Sequence, residues 1–89
     1  MNPYMDQLDL FDKNLFVRIF NEVPEEELIW HRDKRNREIT VLESEGWKLQ
    51  MDNELPVLLE VGKTFHIENM IYHRLLKGKG PLVLQILEK

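Results

Sequence analysis

Four side chains in this 89-residue chain have types and positions that suit a metal: His31, Asp33, Glu38 and His73. His31 and Asp33 are two residues apart, so on an extended segment both side chains leave the same face. Glu38 follows a short loop, at the start of the next strand, where a hairpin would bring it to the other two. His73 stands later, again at a strand start after a loop. Two imidazoles and two carboxylates suit a divalent first-row ion: Mn, Fe, Ni or Zn, with Mn or Fe preferred over Cu. Open coordination positions would admit water or a small-molecule ligand. The alternative is a metal-free cluster, its carboxylates answered by a salt link from Arg32, Arg35 or Arg37 folding back.

Neighbouring residues follow from strand parity. Thr40 and Leu42 share the parity of Glu38, and Ile29 shares that of His31. All three are expected to line the pocket or, more plainly, to be core. If Phe65 and Ile67 face inward, His66 faces the opposite side. Trp30, Trp47 and Tyr72 could stack on a ligand, but burial in a core or an interface explains them as well. Arg74, next to His73, would point away from a metal.

The elements that must position these groups read as β. Residues 16–20 are rich in β-formers, and residues 39–42 form a β-branched run ending near Gly46. Trp47, Leu49 and Met51 alternate with Lys48 and Gln50, the period of a half-buried strand. Asp52-Asn53, Gly62 and the 77–81 cluster of Lys, Gly and Pro mark turns. About eight short strands at spacings of roughly ten residues argue for an all-β sandwich or barrel, and no helical pattern separates them. Residues 1–14 are polar with scattered apolar side chains. They are expected to form a short helix or an arm, with residues 15–89 forming the barrel. Many strands are apolar on both faces, which in so short a chain predicts a homodimer interface.

Composition excludes several classes. The chain carries 12 Lys+Arg, 16 Asp+Glu and no Cys, for a net charge of −4. Disulfides, thiolate nucleophiles and zinc ribbons are therefore out. The acidic balance argues against nucleic acid as the main partner. The cations of residues 31–37 read as a solvated loop tip without interleaved aromatics, and Glu25-Glu26-Glu27 as a solvated acidic run. No apolar run approaches the roughly 20 residues of a membrane span. The first residues lack the basic start and apolar stretch of a signal peptide, so a cytoplasmic protein is expected.

Residues 30–73 resemble a small cupin, the double-stranded β-helix family. The first cupin motif reads G-x5-H-x-H-x(3,4)-E-x6-G. Here His31 takes the first His, Asp33 the second, and Glu38 the Glu, with Gly46 one residue late. The second motif reads G-x5-P-x-G-x2-H-x3-N. Gly62 and His73 keep its spacing, while Glu68, Met70 and Lys77 stand at the Pro, Gly and Asn positions. The resemblance implies an antiparallel jelly-roll barrel with His31, Asp33, Glu38 and His73 as ligands to a divalent metal near one mouth. It also implies a homodimer that overlaps its N-terminal strands. The functions it implies are isomerisation or epimerisation of a sugar, oxygen-dependent cleavage, or decarboxylation. A metal-free cupin that binds a small polar ligand, or one that serves only assembly, is the alternative.

Overall fold

The computed structural model describes residues 4–25 and 28–89. Glu26 and Glu27 of the acidic run lie outside the described residues. The strands are β1 (Met5–Leu8), β2 (Leu15–Phe20), β3 (Arg37–Glu45), β4 (Lys48–Met51), β5 (Val57–Leu58), β6 (Thr64–Ile67), β7 (His73–Leu76) and β8 (Lys79–Glu88). They form a five-stranded sheet in the order β1-β2-β8-β3-β6 and a three-stranded sheet in the order β5-β4-β7. All the pairings are antiparallel.

Alternation makes the core. On the larger sheet Phe16 and Phe20 of β2, Leu82, Leu84 and Ile86 of β8, and Ile39 and Val41 of β3 point inward and are buried. Ile67 of β6 joins them, as Leu49 of β4 does from the other sheet. Residues of the opposite parity face out, because a strand's side chains alternate with a period of two, while Arg18, which shares the parity of Phe16 and Phe20, faces the cavity. Phe65 packs on the core with Ile67, and His66 faces away, cross-strand from Glu38. Trp47 is core, at 1% exposure, and its indole Nε1 donates to the carbonyl of Gly80 at 3.2 Å. The turn carrying Trp47 lies close on Gly78, where an added Cβ would collide with the backbone of residues 45–47.

Two expectations change here. No helix forms over the described part of residues 1–14. Met5–Leu8 is an edge strand on β2, held partly by the Arg18–Asp6 pair, in which Nε lies 2.8 Å from Oδ1. Residues 31 and 38 are not joined by a hairpin either. The chain leaves the smaller sheet at His31, which pairs only with His73, and enters the larger sheet at Arg37.

Candidate metal centre

The backbone bridge between His31 and His73 builds the site. The two residues exchange both hydrogen bonds, His31 N to His73 O at 3.0 Å and His73 N to His31 O at 2.8 Å. Residues paired in this way project their side chains side by side on one face. The two imidazoles meet edge to face with ring centroids 4.3 Å apart. Each ring is aimed in the same manner. Nδ1 of His31 donates to the carbonyl of Ile29 at 3.1 Å, and Nδ1 of His73 to that of Ile71 at 2.9 Å. A carbonyl only accepts, so Nδ1 carries the proton, and in the neutral ring Nε2 offers its lone pair to the cavity.

Asp33 completes the group. Ligand atoms of His31, Asp33 and His73 all lie within 4.8 Å of one another. Oδ2 of Asp33 is buried and makes no well-aligned hydrogen bond; Nε2 of the buried His73 lies 3.3 Å away and the Arg37 guanidinium also reaches it. A carboxylate oxygen and an imidazole nitrogen so close, out of water, can be bridged by a proton or by a metal ion. The set is two histidines and one carboxylate, the donor combination of non-haem Fe(II) sites with open positions.

Glu38 is not brought to this group. It leaves the outer face of β3, and its Oε1 pairs with Nζ of Lys89 at 2.6 Å. That bond holds the Glu38 carboxyl below its ordinary pKa. The cause is register: Ile39 and Val41 are buried, so Glu38, Thr40 and Leu42 share the other face. Thr40 hydrogen-bonds Thr64 there at 3.0 Å, and Leu42 is exposed beside a bulge. Neither lines the pocket, whereas Ile29 does.

Arg37 takes the inward position instead. Its Nη1 lies 3.1 Å from Oδ2 of Asp33, while Nε and Nη2 both reach Oε2 of Glu88 at 2.9 Å. The signal was present in the sequence, because the first cupin motif allows three residues before its Glu and that shorter spacing ends on Arg37. Arg18 and Tyr4, stacked with the guanidinium carbon 3.6 Å from the ring centroid, also line the cavity. The cavity holds about 350 Å³ and is apolar behind this polar wall, with Leu49, Leu75 and Ile86 among its lining.

Outside the cavity, Trp30 and Tyr72 are partly exposed and carry Arg74 and Arg32 over their rings at 4.6 and 5.0 Å. One loop cation, Arg32, therefore does meet an aromatic side chain in space, which adjacency in sequence hides.

Burial holds the pKa of His31 below its ordinary 6.5, and the charges of His73 and Arg37 add to the shift. Burial alone would raise Asp33, but the adjacent His73 and the charge of Arg37 outweigh it and keep the carboxyl below 3.8. Both shifts act in the same direction. The unfolded chain takes up a proton at His31 before the folded one does, so the metal-free protein loses stability as pH falls below 6.5. The Asp33 contribution is present above pH 3.8 and is lost as pH falls through its lower folded value. Urea unfolding between pH 7 and 5 should show this slope, and His31→Gln should flatten it.

No protein-family model matches the chain, and no curated protein matches it by sequence. Solved structures do match. HppE in its iron(II) form aligns with a TM-score of 0.76 at 21% identity, over 99% of this chain and 52% of its own. A candidate mannose-6-phosphate isomerase from Ralstonia eutropha JMP134 gives 0.69 at 17%, over 96% of this chain and 82% of its own. A structure from work on the DMSP lyases RdDddP and RnDddQII gives 0.70 at 17%, over 84% of this chain and 37% of its own. The chain has the cupin fold. At these identities the likeness concerns the fold alone, and the chain spans about half of HppE. The cupin pattern also accounts for Met70: it stands at the Gly position of the second motif and adopts φ +62°, where glycine is normally preferred. Its amide donates to the carbonyl of Asp33 at 2.7 Å, tying the loop before His73 to the backbone of Asp33.

Proposed function

We propose that this cupin-fold chain holds one divalent first-row ion, Fe2+ or Mn2+, and uses it to bind or convert a small molecule in the cavity. Nε2 of His31, Nε2 of His73 and Oδ2 of Asp33 are the proposed ligands. The observation that carries the reading is the grouping of ligand atoms of His31, Asp33 and His73 within 4.8 Å, with the buried Oδ2 of Asp33 facing imidazoles whose protons lie on the far nitrogens. Bound there, the ion would supply Lewis acidity at its open positions. The chain's own part is to orient the imidazoles through Ile29 and Ile71, and to exclude water with the apolar wall of the cavity. HppE has been solved with iron(II), and with cobalt(II) and substrate, so a cupin scaffold of this shape accommodates such ions.

Metal analysis and calorimetry on protein purified without chelators test the proposal. Uptake of about one ion per chain is expected. Asp33→Ala should weaken it by about 100-fold or more, since losing even a supporting group costs about 10–100-fold. Glu38→Ala should leave it within about twofold, because Glu38 lies on the outer face. A second reading rests on the Asp33–Arg37 ion pair, which could close the site without metal and leave a metal-free binding cupin. Absence of uptake by the wild type would establish that reading.

We also propose that two copies associate through the N-terminal edge. β1 is an edge strand exposed along its length, and Leu10 and Phe11 beyond it are almost fully exposed. Such an edge is ordinarily covered or blunted. Sedimentation at micromolar protein should give twice the 10.7 kDa chain mass, and a 10.7 kDa particle would refute it.

A further inference from the structure

The guanidinium of Arg37 has an unusual division of labour. Nε and Nη2 both bind one oxygen of Glu88, across the register pair Arg37↔Glu88. That grip fixes the plane of the group, and its side chain is only 12% exposed. Nη1 alone turns to the site, where it meets Oδ2 of Asp33. A cation ligated by Asp33 would take that oxygen's charge. Nη1, still held in place by Glu88, would then share its acceptor with the ion and keep donor capacity for a second, anionic partner.

The charge balance points the same way. A dication together with Arg37, set against Asp33 and Glu88, leaves the polar wall with one net positive charge. The cavity behind it is apolar, lined by residues such as Ile39, Leu49 and Ile67.

We propose that Arg37 is the substrate anchor of this site, and that the ligand is a small carboxylic acid with a short hydrocarbon body. One carboxylate oxygen would reach the ion held by His31, Asp33 and His73, the other would accept from Nη1 of Arg37, and the hydrocarbon would fill the cavity. The inference rests on the metal centre proposed above. It makes binding ordered, because in the metal-free protein Asp33 already occupies Nη1.

The test uses the Co2+-loaded protein, with the visible spectrum of the ion and calorimetry as readouts and hexanoate and hexanamide as probes. Hexanoate should perturb the Co2+ spectrum and bind at least about tenfold more tightly than hexanamide, the scale of one charge-assisted hydrogen bond. It should not bind metal-free protein, and by linkage it should tighten Co2+ binding by the same factor that Co2+ tightens its own. Arg37→Gln should keep Co2+ binding at wild-type strength or better while weakening hexanoate by about tenfold or more. Arg37→Lys retains charge without the fork and should fall between the two. Hexanoate binding within twofold of wild type in Arg37→Gln, or equal binding of acid and amide by the wild type, would overturn the anchor and leave the metal centre standing. Failure of the wild type to take up Co2+ would overturn both. If Arg37→Gln does not fold, the wild-type comparison of acid with amide decides.

Discussion

Saturating Mn2+ or Co2+ should raise the melting temperature of the wild-type protein by about 10–20 °C, and His73→Ala should abolish that rise. An ion that binds only the folded state adds about 2.7 kcal/mol at a hundredfold excess over its Kd. In a domain of this size each kcal/mol is worth about 4–8 °C. His73 is buried, its ring is fixed by the carbonyl of Ile71, and its backbone is paired with that of His31. Replacing it by Ala removes one ligand and leaves the bridge that positions the other. The variant will also lose some packing, so the informative quantity is the shift between metal and chelator within each protein. That difference should be large for wild type and near zero for His73→Ala. An equal shift in both, measured by scanning calorimetry, would remove His73 from the site.

The second large effect lies away from the chemistry. Trp47→Ala should cost about 3–5 kcal/mol in urea unfolding, the range for truncating a buried aromatic side chain. Trp47 is 1% exposed, packs against Phe20 with ring centroids 6.2 Å apart, and donates to Gly80. Ala would open a cavity in the core and leave the Gly80 carbonyl without its donor. A small domain holds only about 5–15 kcal/mol in total, so the variant should be partly unfolded at body temperature. Trp47→Phe keeps most of the volume and loses mainly the hydrogen bond, so its cost should be smaller, about 1–2 kcal/mol. Equal losses in the two variants would show that the hydrogen bond, rather than the packing, carries the effect.

What could be read from the chain alone followed from local rules. Alternation over residues 47–51, and the assignment of Phe65 and Ile67 inward with His66 outward, needed only the period of a strand and the polarity of the residues. The turn at Gly46 and the short spacing of the strands excluded helices between them. His31 and Asp33 were placed on one face by parity, while the interval from Gly62 to His73 was legible only through the resemblance to the cupin motif. The alternation statements depend on neighbours in sequence, and the structure agrees with them because nothing in the tertiary packing opposes them.

The register of β3 could not be settled in that way. Residues 39–42 run Ile-Thr-Val-Leu, and either parity offers apolar side chains to a core. Only packing against β8 and β6 decides that Ile39 and Val41 face inward. A slip of one residue exchanges the two faces of a strand. The same decision removes Glu38, Thr40 and Leu42 from the cavity and puts Arg37 beside Asp33. Nor could the sequence show that residue 31 pairs with residue 73 rather than with the start of β3. That pairing depends on which sheet each segment joins, a long-range choice made by burial of the whole core. The fold therefore brings together three of the four groups named from the sequence, and it puts the Arg37 guanidinium where the second carboxylate was expected.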